Sequence, residues 1–412
     1  MDLTEARHVA DRLDADDPLA FVRGRFSVPD GVVYLDGNSL GALPVAVPAV
    51  ADDVVRRQWG TDLITSWNVH GWWDAPRRVG SQVARLIGAA ADEVVVADST
   101  SVDLFKVLVA ACRLRPGRRT LVTEPGNFPA DLYIADSVGE LLGLTVRRVD
   151  PRDVGSVLGE DVAAVSFAHV DYRTGRVYDM SAITAAVQDA GALMVWDLSH
   201  SAGALPIALG GCDADFAVGC GYKYLNGGPG APAYVMAARR HHATMRSPLT
   251  GWTGHARPFA MEGSYEPAPG IDRMRCGTPP MLSMLALEAA LGAFDGLSMD
   301  DVRARSLSLT RLFLSLADDV LAPLGFEVVT PRADEERGSQ VSLTHPWAYG
   351  VVQALVARGV IGDFRHPDVV RLGFAPLYVR HTEVVQAVEQ ITAAVQAGEE
   401  RDPRYVVQHT VT

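Results

Sequence analysis

The 412-residue chain has little cysteine: Cys112, Cys212, Cys220 and Cys276 stand far apart, with no C-x-x-C pair. That usage does not suit a disulfide scaffold and offers no zinc motif; a reducing cytoplasm is the simplest home. No stretch reaches the roughly 18 uninterrupted apolar residues of a membrane span. The N-terminus, MDLTEARHVADRLDADDPLA, is broken by acids and lacks the apolar core of a secretion signal. Concentrated Lys/Arg blocks are missing too, and the formal net charge is -13. An acidic chain of this kind argues against nucleic-acid binding, so any anionic ligand must be caught by local groups. Repeats and low-complexity tracts are absent.

What is present is an ordinary globular composition, 48% hydrophobic and 21% charged, over a length that favours more than one domain. From about residue 90, strand-like and helix-like segments alternate. EVVVAD (93–98), RTLVTE (119–124), LTVRRVD (144–150), DVAAVSFAHV (161–170), ALMVWD (192–197), DFAVGC (215–220) and APAYVMA (231–237) read as strands, with helical segments at 102–114, at 129–143 and from Ser181. This is the pattern of an α/β domain with a largely parallel sheet, whose ligands bind outside the carboxyl ends of the strands. Past residue 280 the texture changes. Helices from PPMLSMLALEAALGAF and from Met299 to about Val320 precede FEVVTP (326–331) and QVSLTH (340–345). A helix near 348–358, VVRLGFA (369–375) and a helix near 382–397 follow, which suggests a smaller α+β domain. EERDPRYVVQHTVT reads as a loosely tied tail.

Four segments carry chemistry. In GCGYKYLNGGPG (219–230), Lys223 follows a strand and is flanked by glycines and tyrosines. A solvated loop lysine is the ordinary reading, but apolar surroundings would lower the pKa of this amine and make it a nucleophile. In VWDLSHSAGALP (195–206), Asp197 ends an apolar strand. It is either a cap for the next segment or the carboxylate that keeps a pyridine nitrogen protonated. His200 lies three residues on; a lone histidine is more often structural. In ADSTSVDLFK (97–106), Ser99, Thr100 and Ser101 sit between strand and helix, as caps, as a phosphate site, or as both. In EPGNFPADLY (124–133), Phe128 at a strand's carboxyl end is a core aromatic or one that stacks on a flat ring.

Together with YLDGNSLGALP (34–44), DYRTGR (171–176), GWTGHARPF (251–259) and RCGTPP (275–280), these segments resemble kynureninase, in the aspartate aminotransferase fold superfamily of pyridoxal-phosphate enzymes. The resemblance covers most of the chain. It implies the PLP-dependent transferase fold type I, mainly parallel in a large domain (46–290), with a smaller α+β domain (291–412) against which residues 1–45 pack. It implies pyridoxal 5'-phosphate held by Lys223 as a Schiff base, with Asp197 on the pyridine nitrogen, His200 beside it and Phe128 stacked on the ring. Asp131 is then a cofactor contact, and Thr100, Ser101 and Tyr222 bind phosphate, with Tyr222 also serving proton transfer. Trp252 and Thr278 reach the phosphate across a homodimer interface. Arg371 grips the substrate α-carboxylate, for which its planar fork is suited, and Ser39 and His70 lie on the substrate side. The implied reaction is hydrolytic Cβ–Cγ cleavage of L-kynurenine, or of 3-hydroxykynurenine, to anthranilate or 3-hydroxyanthranilate and L-alanine, in tryptophan breakdown or in supply of a biosynthetic precursor. Two positions depart from the family pattern. Ala168 replaces a Ser or Thr near the cofactor, and Gly277-Thr278 follows bacterial members, which prefer kynurenine to 3-hydroxykynurenine.

Three other readings compete with this one. Gly37-Asn38-Ser39-Leu40-Gly41 satisfies G-x-S-x-G, but Pro44 and Pro48 follow where a nucleophile elbow needs a helix, and only 36 residues precede it. A cysteine desulfurase or class V aminotransferase keeps the cofactor and changes the reaction; Cys276 is the thiol to watch. A non-catalytic binding protein would not need Lys223, Asp197 and Arg371 together. Adjacent His241 and His242 would not share a helix face, which argues against a metal pair. Trp67, Trp72 and Trp73 are expected to pack near the domain junction.

Overall fold

The computed structural model describes residues 1–407. Seven strands form the larger sheet: β1 (Val94–Ala97), β2 (Thr120–Thr123), β3 (Thr145–Arg148), β4 (Val162–Ala168), β5 (Leu193–Asp197), β6 (Phe216–Gly219) and β7 (Ala233–Ala237). Their spatial order is β1-β7-β6-β5-β4-β2-β3. From β6 to β3 all neighbours are parallel, and only β7 runs antiparallel, to β6 and β1. The strands VVVA, VAAVSFA and LMVWD are buried along their whole length. Near-continuous apolar runs are what a parallel sheet covered on both faces requires. Two hydrophobic clusters, one on each face, supply that cover.

The helices end where local chemistry stops them. Pro129 opens the helix Pro129–Leu142, and Gly143, at φ 63°, closes it in the left-handed conformation. The resulting βα turns put residues 98–101, 124–128, 168–172 and 197–200 at one end of the sheet, outside the strand carboxyl ends.

A smaller sheet holds β8 (Glu327–Val328), β9 (Gln340–Thr344), β10 (Asp363–Arg365) and β11 (Val369–Gly373), in the order β8-β9-β11-β10, all antiparallel. β8 is shorter than FEVVTP suggests. The Thr330 hydroxyl, not a backbone carbonyl, accepts from Ser342 N, which ends the ladder. The N-terminal helix Leu3–Ala15 packs on the helix His381–Gln396. Val33 and Tyr34 pair with Val360 and Ile361, and the chain then crosses to the larger sheet. The tail is not loose over 399–407: Glu399–Arg401 and Pro403–Val406 are helical turns. Glu400 is buried against Gly350, where a Cβ would meet the Glu400 carbonyl oxygen at 1.9 Å. Residues 408–412 lie outside the described residues. Among the described residues no single helix is long and apolar enough to cross a membrane.

Candidate active site

The strand carboxyl ends converge on a cavity of about 530 Å³, part of it open to solvent. Its wall includes Thr100, Ser101, Phe128, Asp131, Asp197, His200, Tyr222 and Lys223. Eight of the ten cofactor positions singled out in the sequence therefore meet in one place.

Lys223 stands in a tight turn after β6. Asn226 N donates to the Lys223 carbonyl at 2.8 Å, and Asn226 itself takes φ 60°, which asparagine tolerates better than most residues. The GNSLG segment is laid directly on this turn. Gly41 N donates to the Tyr222 carbonyl at 2.8 Å, and a Cβ at Gly41 would meet the Lys223 carbonyl oxygen at 2.4 Å, so only glycine fits. The Lys223 amine lies 3.4 Å from His200 Nε2 and 5.9 Å from the centre of the Phe128 ring. Burial lowers the pKa of Lys223, and burial together with the Lys223 charge drives that of His200 well down. Both are therefore biased toward their neutral forms.

Asp197 satisfies both sequence readings. Its Oδ1 accepts from Ser199 N at 2.7 Å, a local cap, while the carboxylate also faces Asp131. Burial and the Asp197 charge push Asp131 well above the usual carboxylate range, so Asp131 keeps its proton and can donate it to Asp197. Glu124, which the sequence reading passed over, is another buried acid: burial raises it to about 8, and its Oε1 accepts from Ala168 N at 2.8 Å. Burial likewise pushes Tyr222 above its ordinary range, so its hydroxyl keeps its proton.

The helix start on the cavity wall is open. Ser99 is the N-cap of the helix Thr100–Arg113, yet its side chain makes no capping bond. That leaves the first-turn N–H groups without a side-chain cap, beside the Thr100 and Ser101 hydroxyls on the cavity wall. Asn127 Nδ2, also on the wall, is buried with no protein partner among the described residues, while its Oδ1 accepts from Phe128 N at 2.7 Å. An uncapped helix start, an unpartnered amide donor, a carboxylate and a buried amine around one cavity fit pyridoxal phosphate.

Arg371, on β11, is buried and bound on several sides. Its Nε donates to Asp363 Oδ1 at 2.8 Å and its Nη2 to Asp363 Oδ2; Nη1 donates to the Tyr172 carbonyl at 2.8 Å and Nη2 to Ser39 Oγ at 2.8 Å. Ser39 and Arg371 thus belong to one corner, together with Asp363 and Arg365, which the sequence reading missed. Tyr172 on the wall packs edge-on to Phe128, 5.3 Å between ring centres.

Ser39 and Arg371 border this cavity through the Tyr172 carbonyl without lining it, and three other expected residues are not brought to it. His70 Nε2 binds Asp62 Oδ2 at 2.7 Å instead. Trp252 and Thr278 lie on the outside of the chain, held near each other because Thr253 Oγ1 donates to the Gly277 carbonyl at 3.0 Å. The tryptophans join that region: Trp73 lies 5.4 Å from Trp252 and 5.2 Å from Phe259 between ring centres. They link segments 67–73 and 252–259 rather than marking only a domain junction.

Geometry weakens the rivals. Among the described residues no histidine bonds Ser39 Oγ, which donates to Asp363 at 2.7 Å and accepts from arginine. A Ser308–His381–Asp14 chain does have the hydrogen-bond order of a triad, at 2.8 and 2.9 Å. Asp14, however, also accepts from His381 N and from Thr382 N and Oγ1, and so caps the helix His381–Gln396. Ser308 lies mid-helix, with its own N–H inside the helical region and unsuited to an oxyanion hole. His241 and His242 turn to different partners, Asp215 Oδ1 and the Ala237 carbonyl.

A model of the kynureninase C-terminal domain matches residues 302–391. Kynureninase of Burkholderia mallei is 48% identical over 415 residues, covering 99% of this chain and 100% of the relative. Kynureninase of Pseudomonas fluorescens is 48% identical over 407 residues, covering 97% and 98%. Among solved structures, the apo cysteine desulfurase of Thermococcus onnurineus NA1 superposes with a TM-score of 0.78 at 20% identity, covering 92% of this chain and 98% of that one. The cysteine desulfurase CsdA of Escherichia coli gives 0.77 at 20% identity, with the same coverage. At that identity the structural likeness establishes the fold, PLP fold type I, and nothing about the reaction. Full-length identity does more: the chain belongs to the kynureninase family.

Proposed function

We propose that this protein hydrolyses the Cβ–Cγ bond of L-kynurenine, giving anthranilate and L-alanine; it is a pyridoxal-phosphate-dependent hydrolase of carbon–carbon bonds. The observation that carries the reading is the meeting of Lys223, Asp197 and the open helix start at Thr100 in one cavity. Thr100 and Ser101 would hold the phosphate, Asp197 the pyridine nitrogen, and Phe128 and His200 the ring, with Asp131 steadying Asp197. Bound there, pyridoxal phosphate supplies an electron sink for the charge left when the substrate loses its α-proton.

The chain's own groups do the rest. Lys223 would hold the cofactor covalently, and its amine, biased toward the neutral form by burial, is the base placed to accept the α-proton. Arg371 orients the α-carboxylate and Ser39 backs it. Tyr222 keeps its proton and can deliver it to the β-carbon; Lys223, once protonated, is the other donor. Water adds across the γ-carbonyl and leaves in the anthranilate carboxylate.

The assembly we propose is a homodimer, in which Trp252 and Thr278 serve the neighbouring site. Exposed Phe259 and Met261 beside Trp252 support it, since contiguous apolar surface usually marks an interface. Residues 1–45, 46–290 and 291–412 are proposed as arm, large domain and small domain. A role for His70 on the substrate side would also come through the neighbour. The four unpaired cysteines suit a cytoplasmic enzyme of tryptophan and kynurenine breakdown. Gly277-Thr278 favours kynurenine over its 3-hydroxy form.

Product analysis tests the reading. Equimolar anthranilate and L-alanine from L-kynurenine support it. Alanine from L-cysteine with none from kynurenine would move the protein to desulfurase chemistry.

A further inference from the structure

The corner around Arg371 holds more charge than one arginine. Asp363 on β10 stands opposite Arg371 on β11, and both side chains are 1% exposed. Both Asp363 oxygens are engaged by Arg371. Asp363 Oδ2 also accepts from Arg365 Nη2 at 2.6 Å. Arg365 lies two residues further along β10, so strand alternation puts it on the same face as Asp363. Its side chain is 33% exposed, its Nη2 reaches Ser39 Oγ at 3.3 Å, and its Nε is buried without a protein partner among the described residues. Its charge acts on His200 and Tyr172, two residues of the cavity wall.

Charge balance decides what such a corner can take. Paired with Asp363 alone, Arg371 would be neutralised and would offer an incoming carboxylate no net attraction. Two guanidiniums against Asp363, with the nearby Asp36 held protonated by burial and by the Asp363 charge, leave one positive charge, the complement of one monoanion. A second arginine also removes the repulsion that Asp363 would exert on a bound carboxylate.

We propose that Arg365 is a second cation of the substrate α-carboxylate site, with Asp363 the shared counter-ion that fixes Arg365 and Arg371 beside Ser39. This rests on reading the cavity as an amino-acid site. It adds a binding residue and a positioning residue to the single arginine implied by family resemblance.

The test uses the cofactor-loaded enzyme and its Arg365→Gln and Arg365→Lys variants. KM and kcat are measured with L-kynurenine, and the change in cofactor absorbance is titrated with L-alanine and with L-alaninamide. Arg365→Gln should raise KM about tenfold or more while kcat changes less than about threefold. It should weaken L-alanine by a similar factor and L-alaninamide hardly at all, and Arg365→Lys should recover most of the loss. Equal weakening of acid and amide, or an unchanged KM, overturns the proposal. Should the parent bind L-alanine but not turn over kynurenine, the functional reading fails, while the acid-against-amide comparison still decides the role of Arg365.

Discussion

Lys223 Nζ lies 3.4 Å from His200 Nε2, in a setting that disfavours charge on both. The contrast within the chain is sharp, because the sequence contains only two lysines. Lys106 is fully buried between Asp98 Oδ2 at 2.6 Å and Asp103 Oδ1 at 2.7 Å, which raise its pKa and hold it charged. Reductive trapping of the bound cofactor followed by peptide mapping should therefore label Lys223 and leave Lys106 unmodified. Label on Lys106 would contradict the assignment.

The Asp131–Asp197 pair makes a second prediction. Asp131→Asn keeps a donor toward Asp197 and should hold cofactor affinity within about threefold. Asp131→Ala leaves Asp197 without that donor and should weaken cofactor binding by about tenfold or more, on the scale of a lost hydrogen bond to a charged group. Equilibrium titration of the apo-protein with pyridoxal phosphate checks both. Equal losses in the two variants would show that the shared proton is not what matters.

Asp36 predicts a pH dependence. Burial and the Asp363 charge raise it to about 7, against the lowering effects of Ser39, Arg371 and Arg365. Tyr34, Tyr224 and Tyr378 also face it, and each is raised, so they stay neutral through this range. Below pH about 7 Asp36 is uncharged and the carboxylate corner keeps its positive excess. Above it, Asp36 ionises and the excess is lost, so KM should climb with pH while kcat follows other groups. In Asp36→Asn the climb should be absent; its persistence there would assign it elsewhere.

The Asp14 cap predicts stability without activity. Asp14→Ala should cost about 1–2 kcal/mol, the usual scale for a lost helix cap, and leave kcat/KM near the parent value. The lowered pKa of Asp14 gives the sign: the contribution is present above its unfolded pKa and is lost as the pH falls toward the folded one. Ser308→Ala should change neither turnover nor any esterase background. Lost activity in that variant would reopen the triad.

Much of the site was legible because its parts sit at strand ends. The apolar runs before Asp98, Glu124, Ala168 and Asp197 located the carboxyl edge of a parallel sheet, and residue type did the rest. Lysine scarcity was an available signal that the motif reading did not use. Asp363 and Arg365 were hidden for a physical reason: their importance lies in facing Arg371 and Ser39 across strands and across 324 residues of chain, and no local pattern records that. Glu124 and Asn127 lay inside a recognised motif, but only burial shows one as a protonated acid and the other as an unpartnered donor. Trp252, Thr278 and His70 were read from resemblance, and a single chain does not gather them at the cavity.

The most direct measurement is the initial rate of anthranilate fluorescence on adding L-kynurenine to the cofactor-loaded protein and, in parallel, to Lys223→Ala. Sustained release by the parent and none above background by the variant is the expected result. Anthranilate from both, or from neither while the parent holds its cofactor, would contradict it.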